Sequence, residues 1–92
     1  IIDFVIYQKQ EQKLFFIEVN FYNGGGSKLK STATEYIEMS RFWKDQNVEF
    51  IWVTDGKGWI STQNPLKDYF ERGNLLINID MLQNGYLEKI IL

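Results

Sequence analysis

A chain of 92 residues with a net charge of −2, no cysteine and no histidine has room for one domain with a small core, and it excludes disulfides, thiolate chemistry and the imidazole that most often serves as general base or zinc ligand. Any catalysis must rest on carboxylates, lysines, hydroxyls or a hard cation held by oxygen. The 45% hydrophobic content, with three Trp, five Tyr and seven Phe, belongs to an ordered globular chain, and no apolar run approaches the roughly 20 residues of a bilayer span, so the expectation is a cytoplasmic protein without membrane contact.

The chain opens on "IIDFVIY" with no initiator Met, which suggests a single domain, residues 1–92, forming the C-terminal part of a longer chain. Residues 1–7 are rich in β-branched and aromatic types, 8–13 form a polar connector, and 14–21 read as a second strand, so the pair predicts an antiparallel hairpin. Period two puts Glu18 and Asn20 on one face with Phe16, opposite Ile17, Val19 and Phe21. "NGGGSK" at 23–28 cannot continue a strand, because three glycines leave nothing to pack. A helix then follows with Ser31 or Thr32 as N-cap and Ala33, Tyr36, Ile37, Ser40 and Trp43 or Lys44 at helical spacing, up to about Asp45.

"VEFIWVT" at 48–54 is the nearly unbroken apolar run of a strand covered on both faces. Asp55-Gly56 turns the chain, Trp59 and Ile60 offer apolar anchors, and a short helix follows from Pro65 to about Glu71. Residues 74–80 read as a short strand or as the lead into a helix over 79–84, and "YLEKIIL" closes the chain without a defined type. The order β-β-α-β-α, with a helix crossing between the second and third strands, predicts an α/β fold: a mixed β-sheet flanked by helices.

The acidic balance argues against a protein that coats nucleic acid generally, since phosphate binding scales with clustered Lys and Arg. Residues 28–44 run against that balance, with four basic side chains (Lys28, Lys30, Arg41, Lys44) to two acidic ones. Asp3 and Glu18 project from neighbouring strands of the hairpin and can meet in space. Two carboxylates so placed repel unless a cation joins them, and oxygen ligands of this kind suit Mg²⁺, which could polarise a phosphoryl oxygen and activate water without a histidine. Period and spacing alone favour the plainer reading, in which both residues face solvent from a half-exposed sheet. "GGGSKLKS" lacks the spacing of a nucleotide-binding P-loop, which makes it a strand-to-helix joint. Trp43, Phe50, Trp52 and Trp59 could stack on bases, but their pattern favours a core.

The constellation resembles the DpnII-type restriction endonucleases of the PD-(D/E)XK nuclease superfamily. "IIDFVIY" supplies the first acidic residue, Asp3, and "FFIEVNFY" the Glu18-Val19-Asn20 segment; the run "IEVNFYNGGGSKLKSTATEY" looks like the family's signature, and "WVTDGKGW" with "PL" at 65–66 looks like the segment after its third strand. The resemblance implies a restriction-endonuclease-like core and Mg²⁺-dependent hydrolysis of double-stranded DNA at GATC by a homodimer, with Asp3 and Glu18 as metal ligands. Asn20 stands where the superfamily has lysine, so Asn20 and a lysine brought from elsewhere would orient water or offset developing charge; Lys28 and Lys30 are the nearest candidates, and Lys28 lies within the recognisable "GGSKL". That departure equally suits a catalytically degenerate module that binds DNA or a protein partner, and a repair nuclease of the same superfamily is a third reading.

Overall fold

A computed structural model describes residues 2–24, 27–61, 63–72 and 75–92, and within them the side chains of all but Ser27 and Ser61. Four strands form one sheet in the order β1-β2-β3-β4: β1 (Phe4–Gln8), β2 (Lys13–Phe21), β3 (Val48–Asp55) and β4 (Leu75–Ile77). β1 is antiparallel to β2, while β3 runs parallel to both β2 and β4, the mixed sheet expected from a hairpin followed by a helical crossover. The helices are α1 (Ser27–Asp45), α2 (Gly58–Ser61), α3 (Asn64–Glu71), α4 (Ile79–Gln83) and α5 (Tyr86–Ile91).

The sheet is apolar on both faces. On one side Phe50 and Trp52 of β3 meet Leu29, Ala33 and Ile37 of α1, Trp59 of α2 and Tyr69 of α3. On the other, Phe15, Ile17, Ile51, Val53 and Ile77 are covered by Met81, Leu82, Leu87, Ile90 and Ile91 from α4 and α5. β3 is therefore buried on both faces, as its unbroken apolar run requires. Its start is tied to that of β2 by an ion pair between Lys13 and Glu49 at 3.0 Å.

Two expectations are corrected. α1 begins at Ser27, not at Ser31 or Thr32. Leu29 is almost wholly buried and draws the first turn onto the core, while Ser31 Oγ donates to the Lys28 carbonyl inside the helix instead of capping it. Lys28 therefore lies in the first helical turn and not in the loop, and of the predicted hinge Gly25 and Gly26 lie outside the described residues. Ile60 is 72% exposed, whereas Trp59 beside it is buried; adjacent positions in a helix face apart, so a single turn can bury only one of them. Residues 75–77 form the short strand and 79–83 the following helix, both of the readings offered for that stretch, and the undefined C-terminal segment is α5.

The loop from β3 to α2 packs against the end of β2. The Tyr22 N–H donates to the Asp55 carbonyl and the Gly58 N–H to the Tyr22 carbonyl, both at 2.9 Å. Gly56 has φ +120°, and a Cβ there would overlap the Tyr22 carbonyl. Asp55 completes the joint by accepting from the Gly56 and Ile79 N–H groups at 2.8 and 3.1 Å. The exit of β2 is thereby held in place where the chain turns toward α1.

Candidate active site

Pairing between β1 and β2 ends at Phe4 opposite Ile17, but β2 continues through Phe21 against β3. Past that point Asp3 leaves the strand, and its Oδ2 accepts the Val19 N–H at 2.9 Å. The side chain takes over a ladder bond and sets its carboxyl beside Glu18, the neighbour of Val19. The two carboxyls lie close enough to shift one another's titration.

They titrate apart. Glu18 is only 9% exposed, and burial first, then the neighbouring Asp3 carboxyl, push it up from 4.5 to about 7. Asp3 is held below its ordinary value by the Val19 N–H and next by Glu18. Like charges in contact share one proton or one cation, and Mg²⁺ takes one or two carboxylates with several waters. The donor set therefore fits a hard divalent ion, although no cluster of three acidic, His or Cys side chains occurs among the described residues.

Asn20 lies on the same face of β2, toward α1. The Trp52 indole N–H donates to its Oδ1 at 2.6 Å, and its Nδ2 donates to the Tyr36 hydroxyl at 2.9 Å. Two residues on, the Tyr22 hydroxyl donates to Thr32 Oγ1 at 3.2 Å. β2 and α1 thus run past each other in opposite directions, and Lys28 lies at the start of α1, exposed and two turns from Tyr36, a rise of about 12 Å. Asp3, Glu18 and Asn20 are brought together; Lys28 stands apart from them.

Tyr36 and Trp52 are the members that sequence reasoning missed. Tyr36 sits on the apolar stripe of α1, edge-on to Phe50 and Trp52 with ring centroids 5.4 and 4.9 Å apart, and at helical spacing it reads as core. The signal was its hydroxyl, because a buried phenol needs a polar partner. Trp52 stands opposite Glu18 in the strand register. The aromatic residues proposed as core are core: Phe50, Trp52 and Trp59 are buried, and Trp43 packs edge-on against Phe16 at 4.8 Å. A groove of about 660 Å³ between α1 and α3, lined by Lys30, Ala33, Ile37, Ile60 and Pro65 among others, includes none of the site residues.

The DpnII restriction endonuclease family matches residues 1–89. The chain is 50% identical over 91 residues to the type II restriction enzyme MjaIII of Methanocaldococcus jannaschii, covering 97% of this chain and 31% of that protein. It is 43% identical over 90 residues to LlaDCHI of Lactococcus lactis and 46% identical over 89 residues to DpnII of Streptococcus pneumoniae, both type II restriction enzymes, covering 96% of this chain and 30% of each. The chain thus spans about a third of the length of the curated relatives it matches. No solved structure matches it significantly.

Proposed function

The chain belongs to the DpnII restriction endonuclease family, and from that membership we propose that it carries the cleavage centre of a type II site-specific endonuclease of the PD-(D/E)XK superfamily, hydrolysing double-stranded DNA at GATC as a homodimer. The supporting observation is the Asp3–Glu18 pair, formed where Asp3 accepts the Val19 N–H. Carboxylates are costly to bring together without a cation, and these converge at the free side of β2.

Asp3 and Glu18 would hold Mg²⁺, which supplies polarisation and charge neutralisation at the phosphate. In the hydrolysis a water oxygen bonds to phosphorus and the bond to the 3′ oxygen breaks, leaving a 5′-phosphate and a 3′-hydroxyl. The buried position of Glu18 keeps its carboxylate from turning to bulk water. Asn20 supplies a neutral amide at the position of the superfamily lysine. Lys28, exposed in the first turn of α1, would bring a positive charge to the DNA backbone beside the site. No helix among the described residues is long and apolar enough to cross a membrane.

One observation favours the second reading, a binding module without catalysis: the oxygen and nitrogen of Asn20 are both engaged by core side chains. The two readings separate in one experiment, cleavage of an unmethylated duplex with a single GATC site by the full natural chain, in Mg²⁺ or EDTA, with Glu18→Ala as control. Metal-dependent cutting confined to GATC and lost in the variant is expected. A folded protein that binds DNA and never cuts would reject the enzyme reading, and metal-dependent cutting indifferent to GATC would point to a repair nuclease.

A further inference from the structure

The hydrogen bonds around Asn20 have a direction that chemistry dictates. An indole N–H only donates, so the atom of Asn20 facing Trp52 is its oxygen and the atom facing Tyr36 is its NH₂. An amide NH₂ only donates as well, so the Tyr36 hydroxyl accepts and its own proton is left for a different partner. The ring is clamped by Phe50 and Trp52, which fixes where the hydroxyl sits. Glu18 lies on the same side, close enough for its charge to act on Tyr36. Burial and then that charge raise the phenol to about 12, so it is a donor and never a base at working pH.

Resting on the reading of Asp3 and Glu18 as the cleavage centre, we propose that the Tyr36 hydroxyl is a catalytic residue that donates a hydrogen bond to a nonbridging oxygen of the scissile phosphate, with Asn20 as the residue that positions it and Trp52 as the group that keeps Asn20 facing the right way. As water attacks and the 3′ oxygen leaves, charge builds on those oxygens, and a fixed donor in a partly desolvated site stabilises it more than water does. Asn20 then serves the reaction through Tyr36 and not by touching the phosphate. A neutral donor replaces a charged one.

The test is single-turnover cleavage of the one-site GATC duplex by the full natural chain and by Tyr36→Phe, Asn20→Asp and Glu18→Gln, with Mg²⁺ affinity titrated for each. Tyr36→Phe keeps the ring and loses the donor: its rate at saturating DNA falls about 10²-fold, while Mg²⁺ and DNA affinities stay within about threefold of wild type. Asn20→Asp keeps the hydroxyl but offers it an acceptor, turning the O–H away from the substrate, and slows cleavage comparably; the double variant is no slower than the worse single. A Tyr36→Phe rate within about twofold of wild type overturns the inference. So does a loss that tracks an equal loss of Mg²⁺ affinity, the mark of a merely structural role. Should Tyr36→Phe not fold, Asn20→Asp decides by the same rate criterion. Wild-type cutting by Glu18→Gln rejects the underlying site, whereas an inactive Glu18→Gln beside an unimpaired Tyr36→Phe rejects the role of Tyr36 alone.

Discussion

Asp3 replaces with its side chain the hydrogen bond that a longer β1 would make to Val19. One contact therefore ends the strand pairing and delivers a carboxyl to Glu18. Asp3→Asn retains an acceptor for the Val19 N–H but not the charge, so it separates the two duties. Its melting temperature should stay close to wild type, while cleavage falls by about 10²-fold or more through weakened metal binding. Asp3→Ala should lose both. Equal melting losses in the two variants would show that the charge, and not the acceptor, holds the strand end.

The carboxyl pair makes stability depend on pH in a defined sense. The folded pKa of Glu18, about 7, lies above its ordinary 4.5, so the folded state binds the proton more tightly, and the stability this contributes is lost as pH rises from about 5 through 7. Asp3 acts oppositely: its lowered pKa contributes stability above the ordinary 3.8, lost only in stronger acid. In EDTA, Glu18→Gln should therefore melt higher than wild type at pH 8, with the gap narrowing toward pH 5. With Glu18 as the proposed metal ligand, protons and Mg²⁺ would compete for it in cleavage, and more Mg²⁺ should move the rise in rate to lower pH. A pH-independent melting gap would contradict the assignment.

Lys28 stands two turns from Tyr36 on an exposed face. Lys28→Ala should weaken DNA binding and lower the slope of log affinity against log salt by about one unit, as for one phosphate contact. The single-turnover rate at saturating DNA should stay within about tenfold of wild type. A collapse of that rate with unchanged DNA affinity would place the lysine at the scissile phosphate itself.

Gly56 is where the β3–α2 loop touches the exit of β2. With φ +120° and the Tyr22 carbonyl in the space of a Cβ, Gly56→Ala should lower the folding free energy by about 2 kcal/mol or more. Gly24, with nothing within 4 Å of an added Cβ, should accept alanine within about 0.5 kcal/mol. Denaturant titration of the two variants checks the contrast.

What the sequence made legible follows from periodicity. The hairpin, the double-sided burial of β3 and the approach of Asp3 to Glu18 need only period two and a short connector. The start of α1 was not legible, because serine and threonine hydroxyls cap a helix or bond back within it with similar ease; Ser31 and Thr34 do the latter. Tyr36 was hidden for another reason. Its partnership with Asn20 depends on how α1 crosses β2, which no pattern along the chain specifies, whereas its ring obeys the helical spacing of any core residue.

The polar contacts of the site close loops of different size. Asp3 reaches Val19 across 16 positions, inside one hairpin, while Trp52 reaches Asn20 across 32 and requires the crossover to be complete. Local opening begins where few buried contacts hold the chain, and β1 is an exposed edge strand while β3 is buried between two neighbours. Fraying of β1 therefore parts Asp3 from Glu18 while Asn20 and Tyr36 stay anchored on the sheet's interior.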